Sequence, residues 1–395
     1  MINIKETIST LIVLMMIFPL FAQEDEELTA TRMEVAVFQP ERQEATAENM
    51  ATLKLAADFT IEKFAENLGN ARMLAVGQDG FVYVTARDEG KVIRLKDTNN
   101  DGVADENITV AEIKDVHGIY IHNDQIYLAT IKEVFVADIQ NDGTLSEPKM
   151  IIDDLPDGGQ HPNRTLAVGP DNKLYISVGS TCNACEEPNP EHATMLRTDL
   201  DGSNREVFAE GLRNTVGFSF HPETQELWGM DHNTDWLGDD EDHEELNKIV
   251  EGAHYGWPFV YDDGKKMPHR EPKDQSFEEF VKTTTFPELM YQPHSAPLAM
   301  VFYDSDQFPE EYRNDAFVAM RGSWNRSEPT GYKVVRIRFS EDHQPVEFED
   351  FLSGFLLENK SHFGRLAGLA VHHDGSLLLS DDANGVVYRI SYNGD

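Results

Sequence analysis

The sequence predicts an all-β fold, a six-bladed β-propeller, on three observations. An apolar strand, a polar turn and a second apolar strand recur six times. The second strand of each recurrence carries a large side chain at an equivalent place: Tyr83, Tyr127, Tyr175, Trp228, Phe317 and Leu378. The steps between them are 44, 48, 53, 89 and 61 residues. The first three steps are near the ~40–50 residues of one four-stranded propeller blade. The last two are longer and point to insertions.

Taken in order, the first recurrence joins Leu74-Ala75-Val76 to Val82-Tyr83-Val84 through Gln78-Asp79-Gly80. The second joins Ile119-Tyr120-Ile121 to Ile126-Tyr127-Leu128. The third joins Leu166-Ala167-Val168 to Leu174-Tyr175-Ile176 across Gly169-Pro170-Asp171-Asn172. The fourth runs from Phe218-Ser219-Phe220 to Leu227-Trp228, and the fifth from Met300-Val301-Phe302 to Ala316-Phe317-Val318. The sixth joins Leu369-Ala370-Val371 to Leu377-Leu378-Leu379. Third strands follow several copies, as at Val92–Leu95, Val134–Ala137, Met195–Thr198, Lys333–Ile337 and Val386–Ile390. Short alternating strands bounded by turn residues are the β signature. A two-sheet sandwich explains the regular recurrence less well.

Outside the repeats, Lys5 precedes an apolar run from Ile8 to Phe21 that ends in Leu20-Phe21-Ala22. This reads as a secretory signal peptide over 1–22, too short for a bilayer span. Residues 23–57 are rich in Glu, Ala and Thr and read as a flexible leader. The propeller is expected over 58–392, with long insertions at 231–297 and 321–332. A periplasmic or secreted protein with no stable membrane insertion is expected.

Of the 395 residues, 40% are hydrophobic and the net charge is −38. Such a balance supports a large core and excludes nucleic acid as a partner, which selects basic surfaces. It suits a solvated acidic surface and, locally, calcium. The two cysteines, Cys182 and Cys185, lack the histidine of a haem site and the further ligands of a zinc site. In an exported chain a short-loop disulfide is the expected state, with free thiols as the alternative.

Polar groups recur where each blade's first strand begins. His117-Gly118 precedes the second blade, Gly158-Gly159-Gln160-His161 the third, Arg213-Asn214 the fourth and Arg365 the sixth. A ring places equivalent positions around one axis, so these residues are expected to converge. A loop histidine there can act as a general base, although taken alone it is more often a bystander. Guanidinium forks suit a ligand with several carboxylates. Arg321, Trp324 and Arg326 add charge and an indole that can stack on a flat ring. Asp97, Asn99, Asp101 and Asp105 alternate around Gly102 as an oxygen-ligand calcium loop, or else a plain polar turn. The glutamate that closes an EF-hand loop is absent; Ile108 stands there.

These motifs resemble, in order, the soluble pyrroloquinoline quinone (PQQ)-dependent sugar dehydrogenases, especially the L-sorbosone and pyranose dehydrogenase branch. The marks are Gly158-Gly159-Gln160-His161, Gly211-Leu212-Arg213-Asn214, Asp235-Trp236-Leu237-Gly238-Asp239-Asp240, Tyr255-Gly256-Trp257-Pro258, Gly322-Ser323-Trp324-Asn325-Arg326 and Gly364-Arg365. The resemblance runs from about Asp58 to Ile390. It implies PQQ at the ring centre, with His161 as the base and Arg213 polarising the quinone oxygen. It implies that Asn214, Arg321, Trp324, Arg365 and His117 bind or cover PQQ. A Ca2+ ion would bridge PQQ and backbone carbonyls at Asn233 and Thr234. The substrate would be a sugar or sugar-derived aldehyde, oxidised to a lactone or acid, and electrons would leave to a separate cytochrome or quinone. Departures from the glucose dehydrogenase branch are Ser180 for an aspartate, Ala367 for an arginine and Val116 for a glutamine. Two other readings stand beside this one: a metal-dependent propeller lactonase and a non-catalytic binding propeller.

Overall fold

The computed structural model describes residues 35–77 and 80–394. Each sequence recurrence forms the two inner strands of a four-stranded antiparallel blade. Blade 1 runs Ala71–Val76, Val82–Ala86, Lys91–Lys96 and Glu106–Glu112. Blade 2 runs Gly118–His122, Gln125–Ala129, Val134–Asp138 and Lys149–Ile152, and blade 3 runs Leu166–Val168, Leu174–Val178, Thr194–Thr198 and Glu206–Glu210. Blade 4 comprises Thr215–Phe220, Leu227–Asp231, Glu244–Ile249 and Leu289–Tyr291. Blade 5 comprises Pro297–Phe302, Ala316–Met320, Lys333–Phe339 and Pro345–Ser353. Blade 6 has Leu366–Val371, Leu377–Asp381 and Val386–Tyr392, and borrows its outer strand, Phe59–Ala65, from the start of the propeller. This pairing of first and last strands closes the ring and leaves no open seam.

The second strand of each blade is buried along nearly its whole length. Neighbouring blades cover both of its faces, so both sets of alternate side chains are apolar. Six hydrophobic clusters follow, one at each seam between blades. Trp228, for example, packs with Met300, Val318 and Val335 across the seam from blade 4 to blade 5.

Two expectations about extents are corrected. The flexible leader does not reach residue 57: Ala47–Met50 form a helical turn capped by Thr46, and Lys54–Leu55 pair with the outer strand of blade 5. The stretch 231–297 is not one insertion, because it contains the third and fourth strands of blade 4. What is inserted is the loop 232–243 and a segment with the hairpin Val260–Tyr261/Lys265–Lys266 and the helix Phe277–Val281. The expectations for 1–22, for 23–34 and for Gln78-Asp79 lie outside the described residues. Among the described residues no helix is long and apolar enough to cross a membrane.

Strand direction alternates within every blade. The connections from second to third strand therefore share one face with the connections from each blade to the next. His161, Arg213, Arg321 and Arg365 all lie in such connections. The turns between third and fourth strands lie on the opposite face, and the 97–105 loop is one of them.

Candidate active site

His161 is held by a chain of hydrogen bonds that fixes its tautomer. Gly159 has φ +50°, and a Cβ there would meet the Thr181 backbone at 2.4 Å, so the loop can press this close only with glycine. The imidazole Nδ1 donates to Ser180 O at 2.8 Å and lies 2.9 Å from Ser180 Oγ. The Ser180 hydroxyl in turn donates to Cys182 O at 2.8 Å. With that proton committed, Ser180 Oγ can only accept, so Nδ1 carries the ring proton and Nε2 keeps its lone pair. Burial, reinforced by the Arg213 charge, pushes the imidazole down to about 3. It is therefore neutral at ordinary pH.

Arg213 is anchored twice. Its backbone N–H donates to Asp231 Oδ2 at 2.8 Å, while Asn214 N–H and Thr215 Oγ1 both donate to Asp231 Oδ1 at 2.8 Å. Asp231 ends the second strand of the same blade. The guanidinium donates through Nε to Asn183 O at 2.9 Å, through Nη1 to His232 O at 3.0 Å and through Nη2 to Asn183 Oδ1 at 2.9 Å. Asp235 Oδ2 lies 3.4 Å from Nη2. One Nη1 hydrogen has no acceptor among the described residues.

His161 and Arg213 line one cavity of about 380 Å³, together with Asn233 and Trp324. All four are site residues that the sequence predicts. Asn183, His232, Asp235, Trp236, Glu244, His294 and Asn325 also line the cavity, and the sequence alone gives them no site role. Trp236 and Trp324 meet edge to face at 5.3 Å, and Trp236 is 40% exposed. Asn325 Nδ2 donates to Asp235 Oδ1 at 2.6 Å and ties the two insertions together.

The other expected cofactor ligands sit elsewhere. Asn214 is buried close to Gly179 and His161, where a Cβ on Gly179 would meet Asn214 Oδ1 at 2.7 Å. Arg321 grips Asp382 with Nε and Nη2 at 2.8–3.1 Å. Arg72, which the sequence reading missed, grips the same carboxylate. Arg365 donates from Nη2 to Gly322 O at 3.0 Å and from its backbone N–H to Asp381 Oδ1 at 2.8 Å. His117 has both ring nitrogens engaged: Arg72 Nη2 lies 3.1 Å from Nε2, and Nδ1 donates to Arg164 O at 3.0 Å. It is fully buried and does not line the cavity, so it supports Arg72 and offers no free ring nitrogen to a ligand.

At the expected metal ligands, Asn233 N–H donates to Glu244 Oε2 at 3.3 Å and Thr234 N–H to Asp242 Oδ2 at 2.7 Å. Their carbonyl oxygens receive no hydrogen bond among the described residues. The 97–105 loop closes on itself: Asp97 accepts from the backbone of Asn99, Asp101 and Gly102, and Asp105 accepts from Thr98 and Asn99. Cys182 and Cys185 form a disulfide, so with Glu187 nearby they are not a thiolate metal centre.

A 37% identical stretch of 239 residues is shared with an uncharacterised protein of Borreliella burgdorferi, covering 59% of this chain and 61% of that one. The aldose sugar dehydrogenase YliI of Escherichia coli is 28% identical over 195 residues, covering 48% of this chain and 45% of the relative. The chain thus spans less than two thirds of these relatives. The calcium structure of the Carbohydrate-Active Enzymes family AA12 protein of Trichoderma reesei superposes with a TM-score of 0.75 at 19% identity, covering 86% and 97% of the two chains. The holo PQQ domain of pyranose dehydrogenase from Coprinopsis cinerea gives 0.74 at 20% identity, covering 89% and 98%. These two structures share the six-bladed fold. A family model described as TrAA12-like matches residues 53–393, and the chain belongs to that family.

Proposed function

We propose that this protein is an exported quinoprotein dehydrogenase that oxidises a sugar or sugar-derived aldehyde to a lactone or acid, with PQQ and Ca2+ as cofactors. The carrying observation is that His161, whose Nε2 keeps its lone pair, and Arg213, which has one unfilled N–H, line one cavity together with an indole. PQQ, when bound, would accept the hydride from the sugar carbon. His161 Nε2 would take the hydroxyl proton from the same carbon as the hydride leaves, since Nδ1 is already committed to Ser180. Arg213 would direct its free N–H at the oxygen on which negative charge grows, and its other bonds keep it from turning away.

The residues present fit both cofactors. Outside the cavity that His161 and Arg213 line, the guanidiniums of Arg72 and Arg321 share Asp382 and Arg365 feels all three, so positive charge is left over for a carboxylate-rich ligand. Trp324 offers a flat face. Three buried acids lie near Asn233 and Thr234 without gathering their oxygens at one point: Glu244 accepts from Asn233 N–H, Asp242 accepts from Thr234 N–H, and Glu245 feels the charge of Asp242. Burial pushes Asp242 and Glu244 up to about 8 and lifts Glu245 well above the usual range. Among the described residues none of the three has a basic ion-pair partner, and the 233 and 234 carbonyls point to no donor. A hard cation with oxygen ligands would offset that burial. The disulfide fits an oxidising compartment, in keeping with export to a periplasm or cell exterior. Electrons would leave to a separate cytochrome or quinone. The relatives named for aldose sugar and PQQ-dependent pyranose oxidation favour a sugar substrate.

Reconstitution tests the reading. Protein loaded with PQQ and Ca2+ should reduce a dye in a sugar-dependent manner. Failure of the calcium-loaded protein to bind PQQ would refute it, and lactone hydrolysis without PQQ would favour a lactonase instead.

A further inference from the structure

The four residues Cys182-Asn183-Ala184-Cys185 form the smallest covalent loop in the described chain, and each of their first three carbonyls is used. Cys182 O accepts from Ser180 Oγ at 2.8 Å. Asn183 O accepts from Arg213 Nε at 2.9 Å and from Trp257 Nε1 at 3.2 Å. Ala184 O accepts from Arg270. The Asn183 side chain does as much again. Its Oδ1 accepts from Arg213 Nη2 at 2.9 Å and from Asp235 N–H at 2.8 Å, and its Nδ2 donates to Asp235 O at 2.9 Å. Asn183 thus accepts two of the four hydrogen bonds by which the Arg213 guanidinium is held, and also fixes the Asp235 backbone beside it.

We infer that Asn183 is the positioning residue for the Arg213 guanidinium, and that the Cys182–Cys185 bond holds Asn183 in place for that task. This rests on the proposed reading, in which Arg213 acts on the bound quinone. An asparagine is suited to the role because one side chain must accept from a guanidinium and donate to a carbonyl. Alanine keeps the backbone carbonyl but removes the second acceptor, and Nη2 would be left with only the longer contact to Asp235. The disulfide contributes by denying the loop other conformations, so that the acceptors need not be ordered anew when ligand binds. The same loop carries Cys182 O, which commits the Ser180 proton and through it the His161 tautomer. One covalent ring therefore sets the direction of both reacting groups.

The test uses the full chain with Ca2+ and PQQ, comparing wild type, Asn183→Ala, Asn183→Asp and Cys182→Ser/Cys185→Ser. The readouts are PQQ affinity, the absorption band of bound PQQ, and kcat and KM for a sugar. Asn183→Ala should lower kcat by about 10–100-fold with little change in KM, since a guanidinium that acts on developing charge is lost to the transition state more than to the ground state. It should also shift the absorption band. Asn183→Asp keeps the acceptor oxygen and should recover part of the band, and the double serine variant should fall between wild type and Asn183→Ala. If Asn183→Ala fails to fold, the aspartate and double serine variants carry the test. A loss confined to thermal stability, with wild-type band and kcat, would overturn the inference. Wild-type behaviour in both Asn183→Asp and the double serine variant would also count against it if the alanine variant cannot be read. If wild type itself binds no PQQ, the functional reading falls and this inference falls with it. If wild type binds and Asn183→Ala matches it, only the inference falls.

Discussion

A single arginine and a cluster of arginines share one face of the ring, and they are wired differently. On the blade 3–4 side, Arg213 is held by carbonyls and an amide, and its nearest carboxylate oxygen is 3.4 Å away. On the side where blades 1, 5 and 6 meet, Arg72 and Arg321 both clamp Asp382. Neutral acceptors orient a guanidinium without cancelling its charge. A carboxylate shared by two guanidiniums cancels one of their two charges and fastens three blades together. The comparison separates a group poised to act on charge from groups that close the ring and leave a modest positive surplus.

The largest effect should come from the first side. His161→Ala should cut turnover by about 10²–10⁴-fold, the usual contribution of a general base. PQQ affinity should change little, because His161 is assigned to the proton and not to the cofactor's carboxylates. Equilibrium binding alongside steady-state rates checks both halves. Loss of PQQ binding with retained kcat would reverse the roles given to the two sides.

Asp382→Asn attacks the second side. Buried Arg72 and half-buried Arg321 would face each other without their shared carboxylate, and breaking a buried pair costs about 3–5 kcal/mol, an upper bound where one partner is partly solvated. Denaturant unfolding of the ligand-free protein should show that loss. PQQ should then raise the melting temperature of the variant more than that of wild type, since its carboxylates would meet uncompensated charge. An equal or smaller rise in the variant would mean that Arg72 and Arg321 serve the ring alone.

The opposite face supplies a smaller contrast. Asp97→Asn in the 97–105 loop should lower stability by about 1 kcal/mol, the scale of one lost hydrogen bond. It should weaken any calcium-dependent rise in melting temperature and leave sugar turnover unchanged. A fall in turnover would show that the two faces are coupled.

How much of this was legible in the sequence follows the same division. His161, Arg213 and Trp324 stood out because glycines and arginines are conspicuous in an acidic chain. The inner strands were legible because both their faces are apolar. The outer strands were not: Glu106–Glu112 is largely exposed, and its Ile108 and Val110 stand among Glu, Asn and Thr without a second apolar face. Arg72 and Asp382 are 310 residues apart and meet only when the first strand completes the last blade, so no local pattern could pair them. Asn183 was hidden for another reason. Its neighbouring cysteines drew the reading toward covalent or metal chemistry, and the amide between them has no motif of its own. Blade 4 was misjudged in extent because its third strand, Glu244–Ile249, begins with two acids that look like loop. They are buried, and burial of carboxylates is the one feature that composition cannot announce.

The smallest expected effect treats the two sides alike. Each keeps a histidine neutral. Burial, then Arg213, pushes His161 down to about 3; burial, then Arg365, pushes His362 down to about 4. An unfolded histidine titrates near ~6.5. As pH falls below that value the unfolded chain binds protons that the native protein refuses, so stability declines. For His362 the decline runs from about pH 6.5 to about 4, and for His161 it extends to about 3. Above ~6.5 neither contributes a slope. Melting temperatures of wild type, His161→Gln and His362→Gln across pH 4–8 should show shallower acid limbs in both variants, by one proton each. His362→Gln should leave turnover within a few-fold of wild type, while His161→Gln should not. Parallel acid limbs in wild type and His362→Gln would mean that the imidazole beside Arg365 can be charged in the folded protein, and the cluster there would then be less electropositive than its three arginines suggest.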